Sequence, residues 1–158
     1  MILHHILRPS VLDRLFDDFP QEGTERTSER RYDLAHFHSA VRRDVENVLN
    51  TRSALSLDTV QWPELEKSPL NYGLPDCSNL SAANAEDREW IRQHIERAID
   101  LFEPRLSQVR VQIYLDEKTG ISQLIFRIEA LLEVDPTPEP VMFDAVLDVS
   151  TQLYRIDR

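Results

Sequence analysis

Residues 109–134 read VRVQIYLDEKTGISQLIFRIEALLEV, and the period of this stretch decides the fold. Val109, Val111, Ile113 and Leu115 share one face, while Arg110, Gln112 and Tyr114 share the other. Successive side chains of a strand point to opposite faces, so this alternation predicts a half-buried β-strand. Leu124, Phe126, Ile128, Ala130, Leu132 and Val134 form the next inward set, opposite Arg127, Glu129 and Glu133. Between the two runs, Asp116-Glu117-Lys118-Thr119-Gly120 reads as a hairpin loop whose Gly120 can supply the positive φ of a bulge. Downstream, Pro136, Pro138 and Pro140 predict a stiff connection that does not pair in a sheet. Val141, Phe143, Ala145, Leu147 and Val149 then alternate again. Ser150-Thr151-Gln152 turns the chain into a short last strand, Leu153 to Asp157.

Upstream of the strands the period changes to that of a helix. Leu34, Phe37, Val41, Val45 and Val48 are spaced 3, 4, 4 and 3, one apolar stripe that should end near Asn50-Thr51. A further helix begins after Asn84, with Asp87 at the reciprocal position of a capping box. Its buried stripe is Ile91, Ile95, Ala98, Ile99 and Phe102, and Pro104 disfavours helical geometry at Glu103. Near the N-terminus, residues 10–18 predict a short helix with Ser10 as N-cap and Leu12, Leu15 and Phe16 as an apolar edge. Gln21 to Arg31 contains no large apolar residue and reads as a mobile linker. In the irregular stretch that follows the first stripe, Gly73 and Pro75 supply turn chemistry. The fold class is therefore α+β, with helices first and packed on one face of an antiparallel sheet of about four strands. Residues 1–31 are expected to form a terminal helix and linker, and residues 32–158 one domain.

Composition narrows the partners. The chain has 158 residues and a net charge of -10, which argues against nucleic acid and anionic membrane surfaces, since both demand a basic face. Of 18 basic residues only Lys67 and Lys118 are lysines, and the arginine excess suits desolvated carboxylate pairs at protein interfaces. No apolar run approaches the roughly 20 residues of a membrane span. The first ten residues lack the basic region of a signal peptide, and the lone Cys77 fits a reducing compartment, so a cytoplasmic protein is expected.

Familiar catalytic signatures are missing: no phosphate loop, nucleophile elbow or zinc-ligand spacing occurs. His36 and His38, two apart on a helix, point in different directions, so no catalytic residue, metal ligand or cofactor is assigned. The densest local feature is Phe102-Glu103-Pro104-Arg105-Leu106, where a helix hands over to a strand. One account presents Glu103 and Arg105 at a rigid corner to a partner. The other is an ordinary helix stop in which the two charges pair with each other.

Glu103-Pro104-Arg105 resembles the Glu-Pro-Arg signature of the phage-tail baseplate wedge family labelled "lysozyme-like", which includes the TssE components of type VI secretion. Other blocks agree in order and spacing. They are Ser10 to Leu15, Arg43 to Glu46 with Leu49-Asn50-Thr51-Arg52, Ser68 to Asp76, Glu139 to Asp144, and Ser150-Thr151. Gln152 departs from the glycine usual after Ser-Thr, and Pro69 from a small or β-branched residue. The resemblance implies a structural, non-enzymatic baseplate protein without cofactors, in a cytoplasmic baseplate docked at the inner-membrane complex. It implies wedge-core binding to TssF and TssG through Glu103, Pro104 and Arg105, and a link through the wedge to TssK. It also implies a sheet similar to the handshake domain of contractile sheath subunits. The edge at Leu153, Tyr154, Arg155 and Ile156 would then accept strands from the TssB and TssC sheath proteins and help nucleate the sheath. Two alternatives stand beside this: a lysozyme-like peptidoglycan hydrolase, and a regulatory adaptor on the same fold. Glycoside hydrolysis normally needs two carboxyls, and no second acid is marked out beside Glu103.

Overall fold

The computed structural model describes residues 10, 13, 15, 34–54, 62–81, 83–116, 123–148 and 151–157. Helix α1 (Leu34–Asn50) leads to a single turn α2 (Pro63–Glu66), a 3-10 turn (Pro69–Asn71) and helix α3 (Ala85–Phe102). Strands β1 (Leu106–Asp116), β2 (Gln123–Leu132), β3 (Glu139–Asp148) and β4 (Leu153–Asp157) follow. They form one antiparallel sheet in the order β1-β2-β3-β4. The α+β arrangement with helices before an antiparallel sheet is thus the observed one.

Both helices bury the stripe that their spacing predicts. Phe37, Val41, Val45 and Val48 of α1 and Ile91, Ile95 and Ile99 of α3 join one core with Leu124, Phe126, Ile128, Leu132 and Ala145 of the sheet. The opposite sheet face is charged and partly apolar: Met142 is 60% exposed, and Arg127 grips Asp144 at 2.8 and 3.0 Å. That pair lies directly across the β2–β3 ladder, where opposite charges favour the register.

Several local expectations are corrected. Asp87 does not close a capping box on Asn84, because the Asn84 N–H already donates to the Ser81 carbonyl at 3.0 Å. Asp87 instead accepts from the Ser81 N–H at 2.8 Å, and the Asn84 side chain caps Glu86 N–H at 3.0 Å. Pro140 was expected outside the sheet, yet it lies in β3 opposite Leu131. The reason is parity. Asp144, Val146 and Asp148 turn their peptide groups toward β4, and Pro140 has the same parity. The short β4 does not reach that far, so the missing N–H costs no ladder bond.

β1 begins earlier than the alternation suggests, at Leu106, because a bulge between Ser107 and Arg110 resets the register. Gln108 makes that bulge at φ 52°. Gln152, where the resemblance expects glycine, takes the left-handed conformation at φ 55° that glycine adopts most readily, and it closes the β3–β4 turn with its N–H on Asp148 O at 2.7 Å. At the N-terminus Ser10 and Asp13 cap each other, with Ser10 N–H to Asp13 Oδ2 at 2.9 Å and Asp13 N–H to Ser10 Oγ at 3.2 Å. Leu15 is 75% exposed and does not belong to an apolar edge, while Leu12 and Phe16 lie outside the described residues. The linker at Gln21 to Arg31, the loop at 117–120 and Val149 also lie outside them.

Candidate functional site

The end of α3 is set by Pro104. Glu103 leaves the helix with φ -120° and ψ 80°, outside the helical region that a following proline disfavours, while its N–H still donates to Ile99 O at 2.9 Å. Leu106 N–H then closes a turn on Glu103 O at 3.0 Å, and β1 starts. This tight reversal leaves Pro104 exposed and turns both flanking side chains inward.

Glu103 is 2% exposed, and both of its oxygens are held by Arg105. Arg105 Nε donates to Oε1 at 2.6 Å and Nη2 to Oε2 at 2.5 Å, the bidentate fork that only a guanidinium supplies. The same Nη2 donates to Asp44 Oδ2 at 2.7 Å, and Nη1 lies 3.5 Å from Asp13 Oδ2. Arg43 closes the cluster from α1, donating to Asp13 Oδ1 at 2.6 Å and to Asp44 Oδ1 at 2.9 Å. The Arg105 guanidinium also sits 5.7 Å from the centre of the buried Phe37 ring.

This cluster joins four parts of the chain: the N-terminal segment, α1, the end of α3 and, through Glu133 N–H to Arg105 O at 2.8 Å, the exit of β2. Burial disfavours the charged form of Asp13, but hydrogen bonds from Arg43 and Ser10 outweigh it and lower its pKa. Burial likewise opposes the Arg105 charge, and its bonds to Glu103 and Asp44 more than reverse that, raising its pKa. Tyr72, edge-on to Phe102 at 5.2 Å, has its pKa raised by burial and then by the carboxylates of Asp44 and Glu103.

Of the two accounts of the corner, the internal pair is the observed geometry for Glu103 and Arg105. What the corner leaves at the surface is Pro104 together with the rim of the cluster, including the half-exposed Arg43. The arrangement is poorly suited to glycoside hydrolysis. A general acid must reach the glycosidic oxygen, whereas the Glu103 carboxylate is buried with both oxygens engaged.

The second candidate region is the outer edge of β4. In an antiparallel pair the N–H and C=O of one residue point to the same side, and the side alternates along the strand. Tyr154 turns both groups away from β3, where the Asn50 side chain meets them: Tyr154 N–H donates to Asn50 Oδ1 and Asn50 Nδ2 donates to Tyr154 O, each at 2.8 Å. Ile156 has the same parity, whereas Leu153 and Arg155 turn their peptide groups toward Asp148 and Val146 of β3. Arg155 and Leu153 expose their side chains, and Tyr154 and Ile156 bury theirs.

Sequence reasoning missed the partners of this region. Arg52 spans Asp76 Oδ1 and Gln152 Oε1, both at 2.6 Å, and so ties the loop after Gly73 to the β3–β4 turn. Asn50 and Arg52 both belong to the block that the resemblance singled out without giving it a role. Elsewhere His94 stacks on Trp90 at 3.6 Å and bonds its carbonyl at 2.8 Å, and His38 lies 3.7 Å from Glu139. Among the described residues no cluster of three His, Cys, Asp or Glu could hold a metal ion. Among them also, no helix is long and apolar enough to cross a membrane.

A family model described as baseplate wedge protein gp25 matches residues 35–137, from the first turn of α1 past the corner to the entry of β3. No curated protein and no solved structure matches the chain significantly.

Proposed function

Since the chain belongs to the baseplate wedge family that includes the TssE proteins, the matched region covering most of it, we propose that it links the wedge core to the sheath. A baseplate component works by touching other baseplate components. In this proposal the corner at Glu103, Pro104 and Arg105 meets the TssF–TssG core, with TssK reached through the wedge. The β4 edge, Leu153 to Ile156, accepts a strand from the TssB–TssC sheath and helps nucleate its polymerisation in the cytoplasm. Residues 32–158 act as the single folded unit, and residues 1–31 as an arm that Asp13 fastens to the corner cluster.

The family match carries this reading, and it includes the corner but not β4. The corner supports it physically because a five-residue charge cluster, with Asp13 and Glu103 buried at its centre, holds Pro104 at the surface. A rigid contact loses less side-chain entropy on association. The strand supports it because β4 is short and stands at the end of the sheet.

The test is sheath assembly in cells. With a fluorescent sheath subunit, cells lacking this chain are expected to form few sheaths, and the wild-type chain to restore them. The purified chain should clear peptidoglycan no faster than buffer. Unchanged sheath numbers without the chain, or clearing activity abolished by Glu103→Gln, would overturn the proposal.

A further inference from the structure

Among the described residues, each edge strand of the sheet has a residue whose outward peptide groups meet helix side chains. On β1 it is Val111, whose N–H donates to Glu96 Oε2 at 3.1 Å and whose carbonyl lies 3.5 Å from Arg92 Nη1. On β4 it is Tyr154, held by the Asn50 amide at both groups. An Asn side chain presents one donor and one acceptor in a plane, which copies the peptide of a neighbouring strand. Asn50 thus stands where the first residue of an added strand would pair.

The two closures differ in strength. Glu96 is itself ion-paired to Arg92 at 2.7 Å, and Arg92 is further held by Glu89 at 2.8 Å. Charge-assisted bonds are roughly twice as strong as neutral ones, so the Glu96 bond to the Val111 N–H, held from behind by Arg92, is harder to displace than either neutral amide bond to Tyr154. The β4 closure is a single neutral amide on an exposed residue at the last position of α1. Thr51 and Ser53 pin the backbone after Asn50 to Leu74, so release needs only a rotation of the exposed Asn50 side chain and leaves the core undisturbed.

We propose that Asn50 is a peptide-mimicking latch that closes the β4 edge in the free protein, and that an incoming strand must take over its two bonds to Tyr154. The latch has a physical rationale as edge protection, because an open strand edge invites pairing with other chains, including copies of this one. It also makes β4 the exchangeable edge and β1 the closed one. The exchange step rests on the strand-addition reading above, and the closure itself does not.

Two measurements on the full chain decide it. Residue-resolved amide exchange of the free protein should find the Tyr154 amide protected and the Ile156 amide faster. In Asn50→Ala the Tyr154 amide should exchange at least about tenfold faster, which corresponds to losing about 1.4 kcal/mol of local protection. Asn50→Asp keeps the acceptor and loses the donor, so its Tyr154 amide should fall between the two. Unchanged Tyr154 exchange in a folded Asn50→Ala protein overturns the latch. The second arm measures association with a purified sheath-subunit pair. Asn50→Ala should associate several-fold faster than wild type, because no latch has to be displaced. Slower or weaker binding by Asn50→Ala would overturn the exchange step and make Asn50 part of the interface. If neither protein binds while Tyr154 exchange rises, strand addition fails and edge closure stands.

Discussion

Arg105→Ala is expected to lower the unfolding free energy by about 3–5 kcal/mol, the typical cost of breaking a buried ion pair from one side. The Arg105 side chain is 10% exposed and the Glu103 side chain 3%, so water cannot replace the lost guanidinium without opening the corner. Glu103 would keep only the residue 105 N–H, now at 3.2 Å, as a donor. Asp13 and Asp44 lose less, since Arg43 still reaches both. Arg105→Lys retains the charge but not the fork and should fall between the two proteins. Urea unfolding followed by circular dichroism gives the comparison. A variant within about 1 kcal/mol of wild type would mean that Glu103 finds another partner, and the corner would not be held by this cluster.

Gly73→Ala should be comparably damaging for a different reason. Gly73 has φ 101°, a conformation that side chains rarely adopt, and an added Cβ would lie 2.2 Å from Thr51 O and 2.7 Å from Thr51 C. Those atoms are backbone and cannot rotate aside. The same Thr51 O accepts Leu74 N–H at 2.8 Å, and Ser53 N–H donates to Leu74 O at 2.8 Å. Relieving the clash therefore breaks the short parallel bridge between Arg52 and Leu74. Backbone strain of about 1–3 kcal/mol and two hydrogen bonds of about 1 kcal/mol each sum to roughly 3–5 kcal/mol. At about 2–4 °C per kcal/mol for a chain of this size, the midpoint of thermal unfolding should fall by about 10 °C. A fall under about 3 °C would show that the 51–53 segment yields easily.

Periodicity made the helices and strands legible, because each element buries one face and its apolar spacing records the geometry. The α1 stripe from Leu34 to Val48 and the alternation from Val109 to Leu132 needed no knowledge of their neighbours. What stayed hidden depends on residues far apart in sequence. The inward turn of Arg105 is decided by Asp44 and Asp13, 61 and 92 positions away, and Asn50 meets Tyr154 across 104. No local pattern announces such a pairing. Two signals were nonetheless present: the Asp13 and Arg43-Asp44 blocks carry the charges that complete the corner, and Asn50 ends the α1 stripe at the position of a cap. Pro140 misled because proline is excluded from paired positions of a strand, and only the length of β4 reveals that its outward side has no partner strand there.

A wedge component must bind the wedge core, and co-purification measures that binding. A tagged wild-type chain is expected to co-elute with co-expressed TssF and TssG in a stable complex. Pro104→Asp charges the exposed tip of the corner and removes the ring that ends α3, but the bonds of Arg105 to Glu103, Asp44 and Asp13 still hold the turn, so the variant should stay folded and lose most of the co-eluting core. Failure of the folded wild-type chain to co-elute with TssF and TssG would contradict the account.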